Sequence, residues 1–437
     1  MRWRTRVGFF GLMLAVALSA GCRSGADQAA DTAPEGDELA NSGPITLRVY
    51  QTHGSYTQEE VERLIVEPVK KKFPNITMEF LINGGGRKLE DYVNAGDIPD
   101  MFMYAHQFTN DFTYYKLLAD LADLAKKYKL DLNKFHPTAI ADIRDFGTKG
   151  ELYALPWSMT FSALYYNKDI FDKFGVPYPK DGMTWDDVID LGRKVARTEG
   201  GVVYRPLEPF EPRHLGSVLS LPYVDPKTNK AVIATEGWNT VFRYYKAIRD
   251  LPGNNVRKSP VDVFLKDQNL AMLANYSGML GRIEAMTNEG TMFNWDFTSY
   301  PNFPQAPGVG LGLEAHVFAI SQTARHKEEA FRVISFLTEK ENQILATENK
   351  RLTALNDPEI KARYGKNAPF LNGKNLAGVF KNEPARNPPP SEYATKLVMP
   401  IVNQAAYDVA DGKKDINTAL KEAEEKANQA IAAAMGN

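Results

Sequence analysis

An α/β fold with largely parallel sheets covered by helices is the architecture this sequence predicts, on three observations. Runs of period two alternate with amphipathic runs of period 3.6 from Ile45 to Tyr104. The 437 residues suffice for two domains with a core each. A hydrophobic fraction of 43% and a charged fraction of 24% match ordinary globular proteins.

The elements follow in chain order. Arg2, Arg4 and Arg6 precede the apolar run Val7–Ala20, which is shorter than the roughly 20 residues that span a bilayer, so residues 1–21 read as a secretion leader. Cys22 is the only cysteine, which excludes a disulfide framework. Ser19-Ala20-Gly21-Cys22 resembles a lipobox, with Ser19 where Leu is usual; this implies a lipidated Cys22 that ties the chain to a membrane, against plain secretion with an idle thiol. Residues 22–44, poor in large apolar side chains, read as a flexible tether with a reach of roughly 25 Å. Net charge moves from −2 to −5 once Arg2, Arg4 and Arg6 leave with the leader, and no basic patch points to nucleic acid.

Ile45–Tyr50 alternates as a strand. Thr57 and Glu60 form a capping box before a helix with Val61, Leu64, Ile65, Val69 and Phe73 on one stripe and a kink expected at Pro68. Ile76–Ile82 is a strand, Gly84–Gly86 a flexible loop, Lys88–Asn94 a short helix and Asp100–Tyr104 a strand. Strands ending at Trp157 and spanning Ala163–Tyr166 follow. Thr184 then caps a helix over Trp185–Arg197, with Trp185 as a packing residue and Val188, Leu191 and Val195 as the buried stripe. Asp225–Lys230 reads as a hairpin turn; Gly237–Arg249, Val261–Leu265, Glu328–Leu337 and Asp415–Ile431 read as helices. Lys381–Pro390, with four prolines, reads as an extended surface connection.

Several motifs, in order, resemble family 1 extracellular solute-binding proteins, the maltose-binding-protein group that feeds bacterial ABC importers. They are Gly96-Asp97-Ile98-Pro99-Asp100, the stretch Gly150–Asp187, Glu208-Pro209-Phe210, and Leu270–Gly278. Trp295–Pro301, Phe318–Ser321 with Arg325–Leu337, and Arg351–Leu355 complete the series. The resemblance runs from about Ile45 to Ile431. It implies a two-lobed clamp of the periplasmic-binding-protein type, with three inter-lobe crossings and hinge closure on a ligand. The expected division is 45–158 with 302–352 for the first lobe, and 159–301 with 353–437 for the second.

The same resemblance implies the site. Tyr104 matches an aromatic that stacks on sugar in the group, although a packed strand-end ring fits it as well. Gln107 stands where such members carry an acid, and Phe108 where they carry an arginine. Thr52 and His53 form the rim beyond the first strand, where capping the next helix is the alternative. Phe210 keeps a contact ring, and Glu211 replaces a second one: it either takes two hydroxyls or a cation, or is a solvated loop charge. Tyr276 stands on a loop that usually carries a stacking Trp. Trp157 and Thr160 are expected on the cleft floor, and Tyr393 near a further aromatic position.

Enzymatic chemistry finds little support. The six histidines show no metal-ligand spacing, and there is no nucleophile elbow and no phosphate-cradling glycine loop with its lysine. Tyr165-Tyr166, inside a strand, point to opposite faces and do not chelate as a pair. The expectation is a monomeric binding protein without cofactor or metal that hands a solute, an oligosaccharide first of all, to an ABC permease on the extracellular face of a membrane or in a periplasm. A metal-free polysaccharide-processing enzyme and a binder of cationic solutes are the alternatives.

Overall fold

The computed structural model describes residues 43–54, 56–254 and 258–436, all within one compact unit. The leader, Cys22 and the tether up to residue 42 lie outside the described residues. Fifteen strands are present among those described: β1 Ile45–Gln51, β2 Ile76–Leu81, β3 Met101–Ala105, β4 Leu155–Met159, β5 Ser162–Asn167, β6 Arg197–Glu199, β7 Val202–Glu208, β8 Val224–Asp225, β9 Lys230–Ala231, β10 Leu270–Tyr276, β11 Trp295–Ser299, β12 Val309–Gly312, β13 Ala315–Ile320, β14 Leu352–Thr353 and β15 Glu383–Ala385.

Two sheets organise the chain, one in the order β14-β4-β13-β3-β1-β2 and the other β11-β5-β10-β7-β6. Both are mixed, which corrects the expectation of mostly parallel sheets. Within these two sheets only β1–β2, β1–β3 and β10–β7 pair parallel. The physical reason is the connectivity. Parallel neighbours need a helical crossover, and the helices Gln58–Lys72 and Leu89–Ala95 supply those for β1 to β3. The links from β4 to β5 and from β11 to β13 carry no helix, and the strands they deliver run against their neighbours.

Register decides what faces what. In the first sheet Met159 pairs with Ala315 and Leu352, and His316 with Ala105, so the ends of β1, β3 and β4 share one rim with the starts of β13 and β14. In the second sheet Ser162 pairs with Tyr276 and Ala163 with Ser299, so the ends of β7, β10 and β11 share a rim with the start of β5. Only Thr160 and Phe161 separate β4 from β5, which sets the two rims side by side.

Local signals hold where capping and stripe agree. Thr184 and Asp187 form a reciprocal capping box before the helix Trp185–Val195, whose Trp185, Val188, Leu191 and Val195 are buried. Full burial of Trp185 against Tyr300 and Phe303 is worth roughly 3 kcal/mol of transfer free energy. Pro68 lacks the N–H that a helical bond to Leu64 would use, and the turn ahead of it widens to a π-helix over Glu62–Val66.

Two expectations are corrected. Gly84–Gly86 is a packed turn rather than a flexible loop. Asn83, Gly84 and Gly85 all have positive φ, Gly84 is buried and accepts the Tyr92 hydroxyl at 3.0 Å, and a Cβ on Gly84 would meet Tyr50 at 3.0 Å. Lys381–Pro390 runs extended along the surface as expected, with Ala385 alone buried, and it adds the short strand β15, which pairs with β12. The segment 302–352 begins on the second sheet's side, with Phe303 and Leu311 in the core of Leu164 and Trp185, and joins the first sheet only at Ala315. Apolar packing also runs without a break from the first sheet through Phe161 and Tyr364 to Tyr165 and Phe297 on one face of the second.

Candidate functional site

The first rim presents Thr52, His53, Gln107, Thr160 and Glu314. The Thr52 N–H donates to the Met103 carbonyl at 3.0 Å, which holds the segment after β1 beside β3. His53 adopts φ +50, a sparsely populated conformation for a non-glycine residue, and its exposed ring stacks flat on Phe108 with centroids 3.8 Å apart. Gln107 donates from Nε2 to Glu314 Oε2 at 3.1 Å. Thr160 donates its N–H (2.9 Å) and its hydroxyl (3.4 Å) to the Glu314 carbonyl, binding the link between the sheets to the start of β13.

The second rim presents Phe210, Glu211, Arg213, His214 and Tyr276. Phe210 has φ +71 and sets its ring edge-on to buried His214 at 5.0 Å. Glu211 precedes the helix Pro212–Val218 and accepts from Arg213 Nε at 2.5 Å. The Tyr276 ring lies 5.8 Å from His214, and its hydroxyl donates to the Gly312 carbonyl at 2.8 Å, tying β10 to β12. Burial, reinforced by the Arg213 charge, holds His214 well below the usual histidine range, so it is neutral at pH 7.

A buried polar knot anchors the floor. His106 accepts the Ala315 N–H through Nδ1 at 3.2 Å, which leaves its proton on Nε2, 3.8 Å from Asp142. Burial pushes the His106 pKa down to about 4 and that of Asp142 up to about 6, the latter against hydrogen bonds from Asn387 and Arg386. Asn387 reaches Asp142 at 2.8 Å and the Leu313 carbonyl at 2.7 Å, fixing the segment after β15 to the floor. Lys396 pairs with Asp111 at 2.9 Å, joining the turn after Tyr393 to the helix after β3.

Of the residues expected from sequence, the fold brings Thr52, His53, Gln107, Thr160, Phe210, Glu211 and Tyr276 to the two rims. Tyr104 and Trp157 are not there, which corrects both expectations. Tyr104 is fully buried and stacked on Phe112 at 4.2 Å, and Trp157 is buried between Tyr56 and Phe318. β3 and β4 are buried on both faces, so a strand-end aromatic there has a core to fill. Tyr393 is half-buried against the second core, and no described hydrogen bond or ring contact joins it to the rims. Glu314, Arg213 and Asn387 escaped notice; the one available signal was a lone acid between Leu313 and the apolar run Ala315–Ile320. A pocket of about 790 Å³ opens elsewhere, between Leu219, Glu236, Gln305, Pro307 and Arg386, and none of the expected residues lines it. The described helices include none long and apolar enough to cross a membrane.

Two α/β sheets set rim to rim, with polar and aromatic side chains converging from both, define a two-lobed solute-binding protein. The sequence model of the family described as bacterial extracellular solute-binding protein matches residues 50–344, and the chain belongs to that family. It is 25% identical over 338 residues to the sn-glycerol-3-phosphate-binding periplasmic protein of Brucella melitensis, covering 70% of this chain and 73% of that one. In fold it is similar to the ABC substrate-binding protein of Listeria monocytogenes in complex with cycloalternan, with a TM-score of 0.70, 21% identity, and 90% and 99% of the two chains covered. It is likewise similar to the sugar-binding protein of Xanthomonas citri, with a TM-score of 0.67, 17% identity, and 89% and 98% covered. These relatives are solute-binding proteins rather than enzymes, and the chain is a substrate-binding protein of the ABC-transporter type.

Proposed function

We propose that the chain captures an oligosaccharide between its two lobes, closes on it about the links that join the sheets, and delivers it to an ABC permease pair. The carrying observation is the composition of the facing rims. Gln107, Thr160 and Glu314 on one side and Arg213, Glu211 and Tyr276 on the other offer both donors and acceptors, with the rings of Phe108 and Phe210 on the same rims. Hydroxyls pair with such groups, while rings lie on the apolar faces of sugars. Fold relatives whose names record a sugar or a saccharide ligand support the same reading.

The protein works as a monomer, held by a lipid on Cys22 to the outer face of the membrane, or within the periplasm where an outer membrane exists. The lobes comprise 45–158 with 315–352 and 159–314 with 353–437, linked by three crossings. Hinge closure supplies the signal, because a permease that reads both lobes at once recognises only the closed form. Thermal unfolding against oligosaccharides, simple sugars, polyamines and peptides tests the reading. A ligand at 100 times its Kd stabilises by about 2.7 kcal/mol. An upward shift with one oligosaccharide is expected; shifts confined to polyamines or peptides would replace the ligand class.

A further inference from the structure

Glu314 and Arg213 stand on opposite rims with no ion pair between them, and the helix that carries Arg213 is tied to the strand just before Glu314: Gly312 donates its N–H to Ser217 Oγ at 3.2 Å and accepts the Tyr276 hydroxyl, whose ring lies beside His214. Glu314 stands one residue before β13, its main chain pinned by Thr160. Its carboxylate accepts a single described hydrogen bond, from Gln107 to Oε2, and Oε1 has no described donor. Arg213 uses Nε for Glu211, and its two terminal nitrogens have no described acceptor. The Arg213 charge is felt at Glu314, where it opposes the upward pull of burial on the carboxyl pKa, yet no ion pair joins them.

An open carboxylate oxygen on one rim and an open guanidinium edge on the other can both be engaged by one group that donates to the first and accepts from the second. A hydroxyl does both. An ammonium satisfies only Glu314. A phosphate or carboxylate satisfies only Arg213, whose charge Glu211 already offsets.

We propose that Glu314 and Arg213 are the specificity-determining pair of this cleft, bridged by one ligand hydroxyl, so that the ligand itself completes the link between the rims and neutral polyhydroxylated solutes are selected over cations and anions. This rests on the carbohydrate reading above and adds to it the residues that enforce neutrality.

The test is isothermal titration of the purified protein with maltotriose, mannotriose, raffinose, glucosamine and glycerol-3-phosphate, on wild type, Glu314→Gln, Arg213→Met and the double variant. A neutral trisaccharide is expected to bind wild type and to lose about ten- to hundredfold in affinity with either single change, because the bridging hydroxyl then lacks one charged partner in the closed cleft. The double variant should bind no more than about threefold more weakly than either single one, since the bridge is already lost. Arg213, with its side chain 42% exposed, keeps the test alive should Glu314→Gln fold poorly. Singles within twofold of wild type, or losses that multiply in the double variant, overturn the pair while leaving the carbohydrate reading standing. Wild type that prefers glucosamine or glycerol-3-phosphate, or that binds no neutral saccharide, overturns the carbohydrate reading and the pair with it.

Discussion

Acid should loosen this protein through His316, and the size of the effect follows from where the ring sits. His316 is buried on β13, with Nδ1 3.3 Å from the Ser158 hydroxyl and its ring edge against Tyr56 at 5.1 Å. Burial, helped by the Arg351 charge and by His106, pushes its pKa down to about 3 from the ordinary 6.5. The unfolded chain therefore takes up a proton as pH falls below 6.5, while the folded one refuses it until about pH 3. Stability from this group is complete above pH 6.5 and drains away as pH falls through that window. At pH 4.5 the loss is about 2.7 kcal/mol, two pH units at about 1.36 kcal/mol each. Urea unfolding of wild type and His316→Gln near pH 7 and pH 4.5 reads it out. Whatever the substitution costs at pH 7 cancels in the difference, as does Asp142, whose raised pKa acts in the opposite direction. Wild type should lose about 2–3 kcal/mol more than the variant between the two pH values. Equal losses would refute the reasoning, because they would mean that His316 charges as readily in the folded sheet as in water.

Two further expectations concern a buried amide under the first sheet and an exposed ion pair. Gln343 is fully buried; its Nε2 donates to the carbonyls of Trp157 (2.9 Å) and Leu337 (3.1 Å), and its Oε1 accepts from Thr353 (2.8 Å) and Ala354 (3.1 Å). Gln343→Leu strands these groups and should destabilise by roughly 3–5 kcal/mol, seen as a lower urea midpoint with an unchanged m-value. Lys396→Ala removes the exposed pair with Asp111; saccharide affinity should fall by no more than about fivefold at low salt, and the difference should vanish near 0.5 M salt, as about a 4 Å screening length requires.

Much of the fold was legible because local signals are strong where one face is buried and an end is capped. β1 alternates, Thr57 and Thr184 announce their helices by reciprocal caps, and Asp225–Lys230 turns as a hairpin. The direction of β13 and β14 was not legible, since it depends on strands more than 150 residues away in sequence. The same division runs through the site. Polar residues and strained aromatics beyond strand ends, such as His53, Gln107 and Phe210, could be found because strand ends deliver side chains to the rim. Tyr104 and Trp157 misled, because in strands buried on both faces the period of two vanishes and an aromatic gives no sign of which way it points. Glu314 was invisible for the complementary reason: its partners Gln107 and Thr160 are brought to it only by register, and no short spacing brings them together.

Small-angle X-ray scattering of the protein with and without the saccharide that raises its unfolding temperature tests the clamp most directly. Closure of the rims on the ligand predicts a smaller radius of gyration at saturation, and Glu314→Gln should need correspondingly more ligand to reach it. A saccharide that binds tightly while the scattering curve stays unchanged would contradict capture by closure between the two sheets.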